Sequence, residues 1–570
     1  MSGAPGPRFP GPWVLPCTFV LLAVNLAIVA PLTGVEYSAY NGSIEGTFIA
    51  IPRVMAAHPG EWSWWPLWNG GLPFENVYLP FSHWLVAVFT VLTGLPVARS
   101  FHIVTAGAYA LGSLAMFWMA LVLSRKLWAS FIAALAYSCL SPSALLVPAI
   151  AADAGGMLNL RRLHILVFWG ESPHTVALAL LPVAIVCFSR ALTTGAAKWR
   201  LLAGVLAACV VLSNAFGIVA LAMALFCWLL AFPSMPWWKA PLTAAAIGVA
   251  AWCWVSPWLS PRMIRAMEAN AATTGGGFGY TAATWIALAL LGAGFVLLCR
   301  AMRRVKAPAH VQFFALLGCL PTGVVFAWTL WNVTIIPQPG RYQLEMDLFL
   351  LPGVVFAGAA IVERFPKRVR CAVAAACMAG LAVQTAHSAL YARHLIRSVD
   401  PATLSEYKVA RWLDRNRPGE RAFLSGSGSF LFNAFTDNPQ LHGGHDQHTV
   451  NRFIPIVSFV VYSGMNAGDR DAEYSIFWLK AFGAHTVYVP GPGSTEHYRP
   501  FAHPRKFEGV LPVLWRDGGD VIYAVPARSK SLAHVMPASA VPARTPIHGL
   551  DIAPAQAYVA ALDDPRLPPA

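Results

Sequence analysis

Acidic side chains in the apolar part of this chain gather between its apolar runs or at the ends of those runs. Keeping an ionisable group at the edge of an apolar domain is costly, so these groups are functional candidates. Any one of them could instead be a solvated residue of a wet loop. They are Glu36, Glu45, Glu61, Glu75, Asp153, Glu171, Glu268, Glu345 and Asp347.

Two of these acids and one arginine have the types that bind a metal and a phosphate. Mg²⁺ and Mn²⁺ prefer oxygen ligands and usually bridge to phosphate oxygens, so carboxylates gathered near one membrane surface could bind such a cation. Glu171 and Asp153 are the candidates named for it. Arg341 could hold a phosphate through two hydrogen bonds, although an arginine at a helix start is also an ordinary interfacial anchor. The combination predicts a site for a phosphate donor carried on a lipid, with a divalent metal, Mg or Mn, as the candidate cofactor.

Residues 65–71 read Trp-Pro-Leu-Trp-Asn-Gly-Gly, a distinctive string shortly before an apolar run. Tryptophans in this place often form the aromatic belt of a membrane protein. The glycines could instead permit a tight turn that brings the backbone near a ligand. On the second interpretation Trp65 and Asn69 are candidates for donor binding.

A dense histidine cluster lies in the C-terminal part of the chain, in the sequence His-Gly-Gly-His-Asp-Gln-His. Imidazoles at this spacing could bind zinc or contribute to recognition of an acceptor. Loop histidines beside glycines are more often structural or surface groups. A cysteine zinc site is excluded there, because all ten cysteines lie between positions 17 and 377. The members of the cluster are His442, His445, Asp446 and His448.

The elements that position these residues must be membrane helices. Apolar residues make up 57% of the chain and charged residues 12%, with a mean hydropathy of +0.56. A soluble core of this size could not hide so much apolar sequence. Lys and Arg exceed Asp and Glu by 40 to 26, but much of the excess falls in short clusters between apolar runs, such as 300–306. That is the positive-inside pattern of a membrane protein and argues against nucleic acid as a partner.

The apolar runs predict about eleven transmembrane helices. The first, 13–32, has the basic start of a signal peptide but no clear cleavage motif, so we expect it to be retained. The run 81–93 is shorter than the roughly 20 residues that a span needs, so we expect it not to cross. The run 201–232 is too long for one span and has a polar break, which predicts a helical hairpin. An odd total places the N-terminus in the cytoplasm and the C-terminus outside.

Three segments follow from this pattern. Residues 1–393 form an all-α polytopic membrane domain whose first outer loop, 34–80, is too long to be an idle connection. Residues 394–540 alternate a short amphipathic helix with strand-like pieces, which predicts an extracytoplasmic α/β domain. Residues 541–570 are rich in Pro and Ala and predict a loosely ordered tail.

The order of these features, over residues 10–390, resembles the GT-C superfamily of membrane glycosyltransferases. Within it the chain looks most like the bacterial membrane proteins that carry the label 6-pyruvoyl-tetrahydropterin synthase-related domain. The strings that carry the resemblance are Glu45-Gly-Thr-Phe, the tryptophan string extended through Leu72-Pro-Phe, Tyr78-Leu-Pro, Gly170-Glu-Ser-Pro and Pro339-Gly-Arg-Tyr-Gln-Leu-Glu-Met-Asp.

The resemblance implies an enzyme that uses polyprenyl-phosphate-linked sugars at the extracytoplasmic face. It places Glu45 in the role of the first-loop acid, which binds or deprotonates the acceptor, with Glu36 as the neighbouring candidate. It places Glu171, in the second outer loop at 151–172, with the metal or the donor, and Arg341 on the lipid phosphate. Better-known members commonly have Asp, often paired, where this chain has Glu45.

We therefore predict an inverting membrane glycosyltransferase of a bacterial cytoplasmic membrane. Its partners would be a polyprenyl-phosphate lipid and a glycan, lipid or protein acceptor. A transporter or lipid-handling protein is a second hypothesis. Two observations argue against it: the charges lie at one face of the membrane, and no paired broken helices mark an inverted repeat. A non-catalytic scaffold that presents the C-terminal domain to partners is the third.

Overall fold

The computed structural model describes residues 11–232, 238–272, 274 and 277–567. The first ten residues of the predicted membrane domain and the last three of the predicted tail lie outside these ranges. Helices dominate the described chain. In chain order they are α1 Val14–Val29, α2 Glu45–Ala57, α3 Phe81–Thr93, α4 Val97–Ser124, α5 Leu127–Cys139, α6 Pro142–Leu146, α7 Pro148–Asp153, α8 Arg161–Val167, α9 Ser172–Thr194, α10 Ala197–Ser213, α11 Gly217–Ala231, α12 Lys239–Val255, α13 Pro261–Asn270, α14 Ala282–Arg304, α15 Ala309–Trp331, α16 Gln343–Val362, α17 Lys367–Leu395, α18 Ser405–Asn416, α19 Ser427–Phe435, α20 Phe453–Ser463, α21 Asp471–Ala481 and α22 Gln556–Asp563.

Seven helical segments of the described chain are long and apolar enough to span a membrane, which makes this a multi-pass membrane protein. They are Val14–Gly34, Val97–Ser124, Ser172–Thr194, Ala282–Arg304, Ala309–Trp331, Pro339–Val362 and Lys367–Leu395. Shorter apolar helices lie between some of them, namely α3, α5, α11 and α12. The total of about eleven crossings therefore stays a prediction.

The run 81–93 forms the single short helix α3. It has 13 residues and ends at Gly94, whose φ of 69° is left-handed. At a rise of about 1.5 Å per residue the helix is about 20 Å long, less than the hydrocarbon core of about 30 Å. Its length agrees with the expectation that it does not cross.

The predicted hairpin in 201–232 is confirmed, because the run divides into α10 and α11. Asn214 lies at the break, and its Oδ1 accepts a hydrogen bond from the backbone N–H of Phe216 at 2.9 Å. Such a side-chain bond two residues ahead stabilises a turn and stops the first helix. The break lies beside Arg341, whose guanidinium carbon is 5.5 Å from the centre of the Phe216 ring.

The first outer loop is a folded unit that contains α2 and a hairpin of β1, Trp64–Trp65, and β2, Leu72–Pro73. Gly70 and Gly71 form the tight turn of this hairpin, with φ values of 77° and 94°. A Cβ on Gly71 would lie 2.5 Å from an atom of the Trp64 ring, so the turn requires glycine there. The loop therefore has its own packed structure.

The C-terminal domain is built on a four-stranded sheet in the order β3-β4-β6-β5. The strands are β3 Ala422–Phe423, β4 Thr486–Pro490, β5 Val513–Asp517 and β6 Asp520–Ala524. Only β3 and β4 run parallel, and the other pairs are antiparallel. The strand-like pieces of the sequence are thus strands, and the amphipathic helix is α18. The core between sheet and helices includes Phe423, Val457, Trp478, Val487 and Tyr523.

The C-terminal domain packs directly on the first outer loop through α19 and α2. Arg53 Nε donates to the carbonyl of Asn433 at 2.9 Å, and Trp68 Nε1 donates to Asn433 Oδ1 at 2.9 Å. A Cβ on Gly46 would fall 2.7 Å from a methyl carbon of Leu431, so the two helices touch at a glycine. These contacts hold the domain against the segment between α1 and α3.

The tail up to residue 567 packs on the C-terminal domain. Trp478 Nε1 donates to the carbonyl of Gly549 at 2.6 Å, and Lys480 forms an ion pair with Asp563 at 2.8 Å. Helix α22 packs against α21. The expectation of a loosely ordered tail rested on Pro and Ala content, which does not reveal these contacts.

Candidate active site

A cavity of about 750 Å³ lies where the outer loops of the membrane domain meet the C-terminal domain. We call it the outer cavity. Its wall comes from both outer loops, the start of α9, the turn before α16 and two aromatic side chains of the C-terminal domain. Its polar and aromatic lining includes Asp153, Arg161, Trp169, Glu171, His174, Arg341, Gln343, Phe430 and Tyr498, with Gly42 and Ile44 from the first outer loop.

Glu171 and Arg341 form an ion pair in the wall of this cavity, between Oε1 and Nη1. Glu171 directly precedes α9 and follows Gly170, whose φ of 76° is left-handed. Arg341 lies in a 3₁₀ turn before α16, where its Nε donates to Gln338 Oε1 at 2.8 Å and its guanidinium packs on the Phe216 ring. Within the described residues Glu171 Oε2 has no hydrogen-bond partner. The pair therefore leaves one carboxylate oxygen unpaired in the described part of the chain.

A second ion pair, between Asp153 and Arg161, lines the same cavity. Trp169 Nε1 also donates to Asp153 Oδ2, at 3.2 Å. On its other side Arg161 donates from Nε to Gln343 Oε1 at 2.8 Å. Gln343 lies two residues after Arg341. One short segment therefore carries Arg341 and also binds Arg161 at the cavity.

Buried contacts fix the helices that present these pairs. His174 Nε2 lies 2.8 Å from Glu345 Oε1, and both side chains are 3% exposed. His174 lies three positions after Glu171, and Glu345 lies four positions after Arg341. This contact therefore joins the same two segments a second time. Asp347 accepts hydrogen bonds from the backbone N–H and the hydroxyl of Ser143 at 2.7 and 3.0 Å. Burial with such partners gives Glu345 and Asp347 a structural explanation.

Glu45 opens α2 and is buried, at 5% exposure. Its Oε1 accepts from the backbone N–H of Ser38 at 3.0 Å, and its Oε2 lies 3.2 Å from His102 Nε2. The preceding residue, Ile44, lines the outer cavity, whereas Glu45 is not among the lining residues. A Cβ on Gly170 would fall 2.7 Å from the backbone nitrogen of Glu45, so the two outer loops touch at this point.

The contacts of Glu45 define its charge. His102 Nδ1 lies 2.9 Å from the carbonyl oxygen of Val35, which can only accept, so Nδ1 carries a proton. Burial raises the pKa of Glu45, but the charge and hydrogen bond of His102 and the N–H of Ser38 outweigh it and lower the pKa below its ordinary value. Glu45 is therefore a carboxylate.

The remaining candidates of the membrane domain lie apart from the outer cavity. Glu36 is exposed. Trp65 is completely buried, with its ring 4.8 Å from that of Trp68. Asn69 donates its backbone N–H to the carbonyl of His442 at 2.8 Å and adopts a left-handed φ of 56° in the hairpin turn. The structure thus gathers Asp153, Glu171 and Arg341 at one cavity, but not Glu36, Trp65 or Asn69.

The histidine cluster divides into two pairs. His442 Nε2 lies 2.9 Å from Asp446 Oδ2; burial alone would lower the pKa of His442, but Asp446 raises it above the ordinary value. The rings of His445 and His448 lie 4.7 Å apart and pack on Tyr78. Burial lowers the pKa of His448 to about 4, so this imidazole is neutral near pH 7. The second pair therefore serves as packed aromatic rings.

The residues present do not fit the predicted metal. Among the residues that the structure describes, no three His, Cys, Asp or Glu side chains converge as a metal site requires. Asp153 and Glu171 each bind an arginine, and a positive charge at contact distance opposes a cation on the same carboxylate. The residues of the histidine cluster likewise contact one another in two separate pairs and do not converge on one point. We therefore derive no step through a metal.

Several residues of the site were not found from the sequence. Arg161 had a signal, because an Arg-Arg pair at 161–162 in a loop assigned outside runs against the positive-inside pattern. His102 lies inside an apolar run with no motif around it. Tyr498 and Phe430 come from the C-terminal domain, and only the tertiary packing brings them to the outer cavity.

Comparison with solved structures yields distant matches. Archaeal oligosaccharyltransferase AglB from Archaeoglobus fulgidus, in complex with an inhibitory peptide and a dolichol-phosphate, has a TM-score of 0.50 and 12% identity, over 85% of this chain and 70% of that chain. An Archaeoglobus fulgidus oligosaccharyltransferase in complex with Zn and sulfate has a TM-score of 0.46 and 12% identity, over 83% and 67%. Apo ArnT from Cupriavidus metallidurans has a TM-score of 0.49 and 15% identity, over 92% and 99%.

The likeness to AglB is one of fold alone, given the 12% identity. It supports the GT-C fold that the sequence resembles. No family model and no curated protein sequence matches the chain. The finer resemblance, to proteins labelled 6-pyruvoyl-tetrahydropterin synthase-related, stays a prediction.

Proposed function

We propose that this protein is a membrane glycosyltransferase that moves a sugar from a polyprenyl-phosphate-linked donor to an acceptor outside the cytoplasm. The observation that carries the proposal is a cavity with two arginine–carboxylate pairs beside an apolar groove between membrane helices. A phosphate on a long lipid needs both features in one place. The fold shared with AglB, whose structure contains a dolichol-phosphate, is in keeping with it.

Arg341 is the proposed phosphate ligand. Its side chain is one-third exposed, and the guanidinium packs on Phe216 in an orientation fixed by Gln338. A guanidinium offers five N–H donors in a planar fork that matches phosphate oxygens. The incoming phosphate can take donors that the ion pair with Glu171 does not use. Arg161, on the same cavity, would add a second positive charge.

The apolar groove offers room for the lipid chain. It has a volume of about 240 Å³ between α9, α10, α11 and α12, and every residue that lines it is apolar. Ile218 lines the groove two positions after Phe216, the residue that supports Arg341. The groove therefore begins near the proposed phosphate site, as a lipid with its phosphate on Arg341 requires. Its walls include Ile185, Phe188, Leu221, Trp228, Ile247 and Trp252.

The chemistry follows as a single displacement with inversion. The acceptor oxygen bonds to the anomeric carbon while the bond from that carbon to the phosphate oxygen breaks, and polyprenyl phosphate leaves with its added charge on the arginines. Glu45 is the proposed acceptor of the hydroxyl proton. It is ionised, follows Ile44 of the cavity wall directly, and needs a side-chain rotation away from His102 to reach the cavity.

Lipid binding to the full-length protein tests the phosphate site. Native mass spectrometry would measure binding of polyprenyl phosphate to wild type and to Arg341→Ala. Because a bidentate charged contact contributes at least about 1.4 kcal/mol, we expect a loss of about tenfold or more. Arg370→Ala is the control, since Arg370 is exposed near the start of α17. Equal binding to wild type and Arg341→Ala would contradict the proposal.

A lipid-handling protein without chemistry is the second candidate, because the groove alone would serve it. Transfer or hydrolysis separates the two functions. We expect wild type to release polyprenyl phosphate from a sugar-labelled polyprenyl-phosphate donor supplied with cell-envelope glycans. Tight donor binding with no release above that of a Glu45→Gln variant would favour lipid handling.

A further inference from the structure

A second cavity, of about 720 Å³, lies within the C-terminal domain and has no role in the donor site. We call it the C-terminal cavity. It shares two lining residues with the outer cavity, Phe430 and Tyr498, whose ring centres lie 6.3 Å apart. The two cavities therefore meet at one pair of aromatic side chains.

The wall of the C-terminal cavity carries polar groups that lack partners. The hydroxyls of Ser425 and Ser458, in side chains 3% and 2% exposed, have no hydrogen bond within the part of the chain that the structure describes. The same holds there for Asp446 Oδ1 and for His442 Nδ1. Buried polar atoms in folded proteins nearly always have a partner, and leaving one unpaired costs about 1 to 3 kcal/mol. The four groups together call for a polar ligand.

The chemistry of the wall defines the class of that ligand. The carboxylate of Asp446 is already paired with His442, and no Lys or Arg is among the residues that line the cavity. An anionic ligand would lack a counter-charge here. Two hydroxyls, a carboxylate oxygen and an imidazole nitrogen suit a neutral ligand rich in hydroxyl groups. Phe459 and Tyr462 add flat apolar faces to the wall, as a sugar ring requires.

We propose that the C-terminal cavity binds a neutral saccharide portion of the acceptor, beside the packed rings of Phe430 and Tyr498 that separate this cavity from the outer cavity. This inference rests on the proposed transferase function and names its acceptor class. Tyr498 is fixed at the junction, because its hydroxyl donates to the carbonyl of Gly42 at 2.7 Å. Gly42 itself lines the outer cavity. Only the layer formed by the Phe430 and Tyr498 side chains would then separate a saccharide in the C-terminal cavity from the donor in the outer cavity.

Binding of saccharides to the full-length protein in lipid nanodiscs tests the inference. The probe is an array of neutral and acidic oligosaccharides. The test variant combines Ser425→Ala with Ser458→Ala, which removes both unpaired hydroxyls and adds no volume. Tyr462→Ala is a second variant that removes an aromatic face. Thr486→Val is the matched control, because Thr486 is a buried, unpaired hydroxyl in β4 that does not line the cavity.

We expect wild type to bind neutral members of the array, Thr486→Val to bind equally, and both test variants to bind at least fivefold more weakly. Absence of binding, a preference for acidic saccharides, or equal binding by the test variants would overturn the inference. Polyprenyl-phosphate binding, measured in parallel, separates the two proposals. If the lipid still binds in an Arg341-dependent way while saccharides do not, the saccharide site alone is wrong. If saccharides bind while Arg341→Ala leaves lipid binding unchanged, the transferase proposal fails instead.

Discussion

The two cavities that meet at Phe430 and Tyr498 treat charge in opposite ways. The outer cavity carries two acids and two arginines, arranged as ion pairs. The C-terminal cavity carries one carboxylate, paired with a histidine, and unpaired hydroxyls. Ion pairs at an accessible wall can exchange a partner for a phosphate, whereas a neutral polar wall suits hydroxyl groups. On the proposed function, the charged donor and a neutral acceptor would therefore bind in separate places.

The same contrast extends to the acids around each cavity. The acids of the outer cavity, Asp153 and Glu171, are paired with arginines. In the C-terminal domain, Glu406 and Glu496 both contact the Ser427 hydroxyl, at 2.7 and 2.5 Å. One hydroxyl has one proton to give, so one of these acids must itself be protonated. Burial raises the pKa of Glu406 to about 7, which assigns the proton to that residue.

Glu45→Gln is expected to have the largest effect and would break the account of the charged region. Loss of a general base lowers the rate by about 10²- to 10⁴-fold, while polyprenyl-phosphate binding is retained. Sugar transfer from a labelled donor and lipid binding would be measured on the same preparation. Glu61→Gln is the control, because Glu61 is an exposed acid of the same outer loop. Full activity in Glu45→Gln would remove Glu45 from the mechanism.

Glu406→Gln tests whether the buried Glu406 of the C-terminal domain keeps its proton in the folded protein. Because the pKa of Glu406 rises from 4.5 to about 7 in the folded protein, the native state holds this proton more tightly than the unfolded chain. The stabilisation is complete below pH 4.5 and is lost as pH rises towards 7, a change on the order of 3 kcal/mol. We expect thermal unfolding of wild type to shift to lower temperature from pH 5 to pH 8.

The Glu406→Gln variant should show a flatter profile and unfold at a higher temperature than wild type at pH 8, because its amide carries no charge. Asp517→Asn is the control, since Asp517 forms an exposed ion pair with Lys408 that contributes little. Parallel profiles for wild type and Glu406→Gln would show that this acid is not the protonated group.

Arg161→Ala tests whether the outer cavity works with two positive charges. We expect polyprenyl phosphate to bind about tenfold more weakly than to wild type, as for loss of one charged contact. Arg161→Lys keeps the charge and should retain most of the affinity. Native mass spectrometry of the three proteins provides the measurement. Wild-type affinity in Arg161→Ala would leave Arg341 as the phosphate ligand by itself.

Tyr498→Phe has the smallest expected effect and concerns the junction of the two cavities. The change removes one hydrogen bond, to the carbonyl of Gly42, with a net value of about 1 kcal/mol. Hydrogen exchange should become about fivefold faster at residues 38–44 and 494–500. Tyr474→Phe is the control, because Tyr474 accepts from exposed Arg470 away from both cavities. No change in exchange would mean that Tyr498 does not fix the junction.

Much of the fold followed from patterns within the sequence. The break at Asn214 and the strands of the C-terminal domain could be predicted, because polar interruption and alternation are local signals. The sequence could not show whether Glu171 and Arg341 converge, and the structure places them in an ion pair. The number of membrane crossings could not be fixed, because helices of 13 to 17 residues such as α3 and α12 are ambiguous by length.

The part of the site that escaped prediction depends on contacts distant in the chain. The partner of Glu45 is His102, which lies in an apolar helix and has no local motif. The expected metal rested on counting acids, whereas the structure pairs Asp153 and Glu171 with arginines. Carboxylate spacing in a sequence cannot show which charges become neighbours. The same limit applies to the C-terminal cavity, whose serines belong to different elements.

The central claim is that the outer cavity holds the phosphate of a polyprenyl-linked donor on Arg341. The most direct measurement is a cryo-EM structure of the full-length protein in nanodiscs with a polyprenyl phosphonate analogue of the donor. We expect phosphonate density within about 3 Å of the Arg341 guanidinium and a lipid chain in the groove beside α11. Phosphonate density elsewhere on the protein, with Arg341 still bound only to Glu171, would contradict it.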